Sequence, residues 1–121
     1  MVENYGLTHI SLAVRDLEKT LQFYSQVFGV KEYFRDEKSI QVIGPQGHGV
    51  IAFEYNPSKA GERAGIDHFG FRLLRKTDID KAVEEVETAG GTIVKRGEFA
   101  PECPYVYIKD PNGYVIEIWY E

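Results

Sequence analysis

Read from the amino terminus, the strand and helix signals run through the order β-α-β-β-β and then run through it a second time. Leu7 to Val14 alternates, with Ile10, Leu12 and Val14 on one side and His9, Ser11 and Ala13 on the other, as a half-buried strand does. Asp16 offers an N-cap, Leu17, Leu21, Tyr24 and Phe28 recur at helical spacing, and Gly29 supplies a stop. Short strands fit Lys31 to Arg35, Ser39 to Ile43 and Val50 to Tyr55, the last two separated by the glycine-rich turn Gly44 to Gly49. After a loop over Asn56 to Gly65 the order returns. A strand is expected over Ile66 to Leu73, and a helix opened by a capping box at Thr77-Asp78-Ile79-Asp80 and closed by Gly90-Gly91. Further strands fit Thr92 to Lys95, Tyr105 to Lys109 and Tyr114 to Tyr120, the last pair joined by Asp110-Pro111-Asn112-Gly113, a type I turn signal. Such a repeat points to duplication. It predicts an α+β fold in one domain over 1–121, with module one at about 5–56 and module two at about 66–121.

Composition narrows the function. Fourteen Lys and Arg against nineteen Asp and Glu leave a net charge of −5, without the basic footprint of a nucleic-acid binder. No apolar stretch reaches the length of a membrane span, and Met1 to Gly6 lacks the features of a secretory signal. Cys103 has no second cysteine to pair with, so a reducing, cytoplasmic setting is the expectation.

Three residues stand out because each lies opposite the apolar side of its strand: His9, His68 and Glu117. Taken singly, each reads as a polar residue on a solvated sheet face. Taken together, they form a ligand set for a divalent transition metal, and the two imidazoles occupy matching places in the two modules. Zinc, manganese, iron, nickel and cobalt all suit such donors. By the same parity Glu54 points to the shared surface, where it is a candidate ligand or general base, or else a bystander. Ser11, Arg72, Tyr105, Tyr107 and Trp119 are candidates to line the pocket and orient an anionic or aromatic substrate, although aromatic residues in strands more often serve packing. His48 sits in a solvated turn and Cys103 has no evident activating neighbour.

Thr8-His9-Ile10-Ser11-Leu12-Ala13-Val14 with Asp16-Leu17 and Phe23-Tyr24, then Asp67-His68-Phe69-Gly70-Phe71, then Asp110 to Glu117, resemble the vicinal oxygen chelate superfamily over essentially the whole chain. That superfamily includes glyoxalase I, fosfomycin-resistance enzymes, bleomycin-resistance proteins and extradiol dioxygenases. The resemblance implies paired modules forming an incomplete mixed-sheet barrel around one divalent metal, with His9, His68 and Glu117 at ligand positions. It implies a lyase, isomerase or transferase of the glyoxalase or fosfomycin-resistance type, acting by Lewis-acid catalysis on a small oxygen-rich substrate, such as a thiol adduct. Two alternatives follow from the same resemblance: a metal-free, drug-sequestering module and, third, an extradiol dioxygenase. Glyoxalase I-like sequences carry a further carboxylate ligand at the place of Ala52 here, one pleat from Glu54. Small relatives of two modules commonly form homodimers, so His9 of one chain is expected to meet His68 and Glu117 of its partner, with a site inside one chain as the alternative.

Overall fold

The computed structural model describes residues 1–121. Strand β1 (His9–Val14) leads into helix α1 (Leu17–Phe28), then β2 (Lys31–Arg35), β3 (Ser39–Ile43) and β4 (Val50–Tyr55). The second half holds β5 (Phe69–Arg72), α2 (Ile79–Thr88), β6 (Thr92–Ala100), β7 (Cys103–Lys109) and β8 (Val115–Trp119). Each half makes one four-stranded mixed sheet, ordered β1-β4-β3-β2 and β5-β8-β7-β6. The pairs β1–β4 and β5–β8 are parallel and the others antiparallel. The fold is α+β, and because the two sheets do not pair with each other the barrel is left incomplete. No helix is long and apolar enough to cross a membrane.

Local chemistry explains α1. The Asp16 carboxylate accepts from the Lys19 N–H at 2.9 Å, and Gly29 adopts the left-handed conformation that closes the helix against the Ser25 carbonyl. Its Phe23 and Tyr24 enter a core shared with Leu12, Val14, Ile51 and Phe53 of the first sheet. Ile79 and Val86 of α2 enter the same core with Val106, Ile108, Ile116 and Ile118 of the second. Each helix thus covers the apolar face of its sheet, and the opposite faces stay open.

Several boundaries differ from the sequence expectation. β1 begins at His9, and β5 begins at Phe69, which leaves His68 just ahead of its strand. The capping box does not form at α2. A 3-10 turn over Lys76–Asp78 satisfies the first N–H groups, while Arg75 engages the Asp78 carboxylate at 3.1 Å, so that side chain makes no cap. The sixth strand runs on to Ala100 instead of ending at Lys95, because it pairs with β7 along its length through two bulges.

The turn Asp110 to Gly113 ties the modules together. Asp110, 4% exposed, accepts from the Tyr24 hydroxyl at 2.7 Å and from the N–H groups of Asn112 and Tyr114. Asn112 donates to the Thr20 hydroxyl and accepts from the Arg15 N–H, while the Arg15 guanidinium reaches the carbonyls of Asn112 and Ala60. Tyr114 donates to the Ala13 carbonyl. At Gly61 a Cβ would lie 2.2 Å from the Asn112 carbonyl oxygen, so only glycine lets the inter-module loop pack so closely on this turn.

Burial pushes the Asp110 carboxyl above its ordinary value of 3.8, while hydrogen bonds from Tyr24 and the turn N–H groups pull the other way. A value raised on folding means that the folded state holds the proton more firmly than the unfolded chain. This contribution to stability is therefore fully present below the ordinary value and lost as pH rises through the folded one. Asp110→Asn removes the dependence. In urea titrations from about pH 4 to 7, the stability difference, wild type minus variant, should fall as pH rises; a flat or rising difference contradicts the assignment.

Candidate metal centre

The second sheet brings two of the expected ligands together. Gly70 of β5 lies opposite Glu117 of β8, and this register sets His68, two residues before Gly70, beside the Glu117 carboxylate. His68 Nε2 stands 3.2 Å from Glu117 Oε2, with the side chains 29% and 20% exposed. On the other side of the ring, Nδ1 lies 2.6 Å from Asp67 Oδ2. That bond holds the Asp67 carboxyl below its ordinary range and makes Nδ1 the donor. Nε2 then faces Glu117 either as a second N–H or as a bare lone pair. Two donors bound to one ion at about 2.1 Å stand roughly 3.0–3.4 Å apart, so the observed spacing fits a shared cation. Asp67 has the place of the outer carboxylate that orients a ligating imidazole.

The third expected ligand is elsewhere. His9 is exposed at the head of β1 on the first sheet, opposite Val50, and no group of three His, Cys, Asp or Glu side chains able to hold a metal gathers within the chain. The two sheets nevertheless match position for position. Ala52 pairs with Ser11 as Glu117 pairs with Gly70, so Ala52 occupies the place in module one that Glu117 occupies in module two. Glu54 pairs with Ala13, four residues along from the level of His9, or about 13 Å at the usual strand rise. It shares the open face with His9 but not its end of the site. Ser11 and Arg63 are among the walls of a cavity of about 330 Å³ that opens beside His68.

The open face of the second sheet carries two rows of side chains. One crosses the strands as Lys95, Tyr107, Glu117 and Gly70, and the next as Gly97, Tyr105, Trp119 and Arg72. Tyr107 packs edge-on against His68, with centroids 5.0 Å apart, and Tyr105 edge-on against Tyr107 at 5.4 Å. Partial burial raises the Tyr107 hydroxyl above its ordinary value, and the charges of Glu117 and Asp67 add to the shift. Arg72 stacks over Trp119 with its guanidinium carbon 5.5 Å from the ring centre, and donates to the Glu121 carbonyl.

Lys95 and Phe99 escape a reading by simple alternation. From Thr92, whose partner Lys109 lies on the open face, strict alternation sends Lys95 toward the helices; the bulge between Ile93 and Lys95 inserts Val94 and turns Lys95 to the open face opposite Tyr107. A second bulge, between Glu98 and Ala100, frees Phe99 to reach Trp119, with centroids 6.2 Å apart. Gly97 between the two bulges is the sequence signal for both irregularity and close approach. Asp67 escapes notice as well, since its part depends on the turn of its neighbour's ring.

The model of the Glyoxalase/Bleomycin resistance protein/Dioxygenase superfamily matches residues 6–118. The chain belongs to that superfamily. It is 27% identical over 117 residues to a manganese-dependent 2,3-dihydroxybiphenyl 1,2-dioxygenase of Geobacillus genomosp. 3, covering 93% of this chain and 36% of that protein. It is 29% identical to the lactoylglutathione lyase GLX1 of Arabidopsis thaliana, covering 96% and 44%. A probable lactoylglutathione lyase of Vibrio cholerae is 28% identical, covering 97% and 91%. The chain therefore spans less than half the length of the first two relatives and most of the third. Among solved structures, the fosfomycin resistance protein FosX of Listeria monocytogenes superposes with a TM-score of 0.82 at 22% identity, covering 100% of this chain and 95% of that one, which shows the shared fold. A further structure of that FosX contains Mn(II) and sulfate.

Proposed function

We propose that this superfamily member is a divalent-metal-dependent enzyme, its ion held by His68 and Glu117 of one subunit and His9 of a second. The pairing of His68 Nε2 with Glu117 Oε2 at 3.2 Å, on a ring already held by Asp67, carries the reading. His9 stands alone at the equivalent level of the other sheet, and both sheets keep an uncovered face, which supports a site completed by a second copy. Manganese is named for one relative and seen in one structural neighbour, and two imidazoles and a carboxylate accommodate it together with zinc, iron, nickel or cobalt.

A divalent ion held by these residues would supply Lewis acidity toward a small oxygen-rich substrate. The chain's own residues do the rest. Asp67 keeps Nδ1 protonated and the ring aimed, and Glu117 contributes the negative charge. Glu54 stands too far along its strand to act at the ion, so the base role considered for it would be on a part of the substrate away from the metal. Ser11 faces the cavity beside His68 as a neutral hydrogen-bonding group. The reaction class is that of the lyases, isomerases and transferases of this fold, with a thiol adduct or another oxygen-rich compound as substrate.

Elemental analysis and native mass of the protein purified without chelators should give one divalent ion per subunit in a dimer. His9→Ala and His68→Ala should each abolish tight metal binding while leaving the melting temperature of the metal-free protein unchanged. Mixing His9→Ala with Glu117→Ala subunits under exchange should restore metal to about a quarter of the wild-type sites, since half the dimers are mixed and each mixed dimer holds one intact site. No recovery overturns the shared site, and wild-type protein that takes up no metal overturns the enzyme reading in favour of a sequestering module. Asp67→Ala should weaken metal binding about 10- to 100-fold by calorimetric titration, and an unchanged affinity contradicts its orienting part.

A further inference from the structure

We propose that the open face of the second sheet selects a flat organic acid, an aromatic ring bearing one carboxylate, and that Lys95 is the residue that recognises its charge. The inference rests on the reading above that this face is the substrate side of the metal centre.

The floor of the face is lined by aromatic rings, two of which lean over glycines. A Cβ at Gly97 would lie 3.0 Å from the Tyr105 hydroxyl and 3.2 Å from its ring carbon, so the phenol lies down over that glycine. A Cβ at Gly70 would lie 3.3 Å from Trp119 Nε1, so the indole leans over that one. Both rings lean over a glycine, Tyr107 stands edge-on between His68 and Tyr105, and Phe99 tilts against Trp119, so ring surface extends from His68 at one end to Phe99 at the other. Stacking on such a surface rewards a planar ring and does little for a branched or hydrated body.

The charge on this floor is unbalanced. Lys95 Nζ sits 5.8 Å from the Tyr107 ring centre and 5.9 Å from that of Tyr105, with no carboxylate partner. Of the neighbouring cations, Arg96 pairs with Asp80, Lys76 with Glu102, and Arg72 stacks on Trp119; Lys109, also unpaired, lies one row further on, opposite Thr92 and Val115 and away from the Tyr105 and Trp119 rings, so Lys95 is the free cation over the aromatic floor. In a chain of net charge −5, a cation turned onto an aromatic surface by a bulge and left without a counter-ion is complementary to an anion arriving with the ligand. Lys95 and Glu117 lie in one row with a single strand between them, about 10 Å apart at the backbone. Once the lysine side chain reaches inward, that span suits one ring with a carboxylate at the lysine end and its other substituents toward His68 and Glu117.

Trp119 is the only tryptophan, so its indole N–H gives one resonance that reports on this face. The full chain, metal-free and then zinc-loaded, is titrated with phenylacetate, its neutral isostere phenylacetamide, and acetate. Phenylacetate should shift the Trp119 resonance to saturation in both forms, phenylacetamide should bind at least about tenfold more weakly, and acetate should leave the resonance in place. Lys95→Gln should bring phenylacetate down to the affinity of the amide, while Arg96→Gln on the helix side should not change it. Equal affinity for acid and amide, no effect of Lys95→Gln, or a resonance that moves with protein dilution and not with ligand, as a second copy seated on the face would cause, overturns the proposal. Zinc binding without phenylacetate binding overturns this inference and leaves the metal centre standing; phenylacetate binding without zinc does the reverse.

Discussion

Each sheet has one helix, and one helix covers one face. That constraint organises the molecule, because strand alternation then divides every strand between a side that must be apolar and a side that need not be. Leu12, Val14, Ile116 and Ile118 go under the helices, and their neighbours in sequence, among them Ser11, Ala13 and Glu117, emerge on the other side. A carboxylate on a central strand is tolerable only on the open side, and only with a cationic partner or water. The open sheet faces are where polar side chains such as Glu117 can gather, because no helix of the chain covers them.

The buried turn at Asp110 does a different job. A carboxylate enclosed among apolar groups costs several kcal/mol unless it is hydrogen-bonded, and here Tyr24 and the turn's own N–H groups offset part of that cost. The same turn carries Asn112, which fastens Arg15 and Thr20 of module one, and Tyr114, which fastens the end of β1. Its polar bonds are directional where the shared core is not, so they set the orientation of one module against the other. The head of each site-bearing strand inherits that orientation.

How much of this was legible in the sequence depends on how local the cause is. The bounds of α1 and of β2, β3 and β4 agree with expectation because a cap, a glycine stop and turn residues are adjacent to what they punctuate. The pairing of His68 with Glu117 follows from alternation once the two strands are neighbours. The longer sixth strand and its bulges did not show in the sequence, since a bulge exists only relative to a partner strand; Gly97 was its one visible trace. Lys95 was lost with them, because a single inserted residue reverses parity for everything after it. The capping box failed at α2 for a similar reason: Arg75 and the 3-10 turn compete for the same groups, and the motif does not record the competition.

The central claim is that an ion joins His68 and Glu117 to an imidazole from another copy. Crystals of the zinc-loaded protein, with an anomalous difference map at the zinc edge, test it most directly. The account predicts one peak per subunit, at bonding distance from His68 Nε2 and Glu117 and within about 2.1 Å of a His9 nitrogen of a second subunit. A peak away from Glu117, or one at His68 with every His9 far from it, would contradict the account.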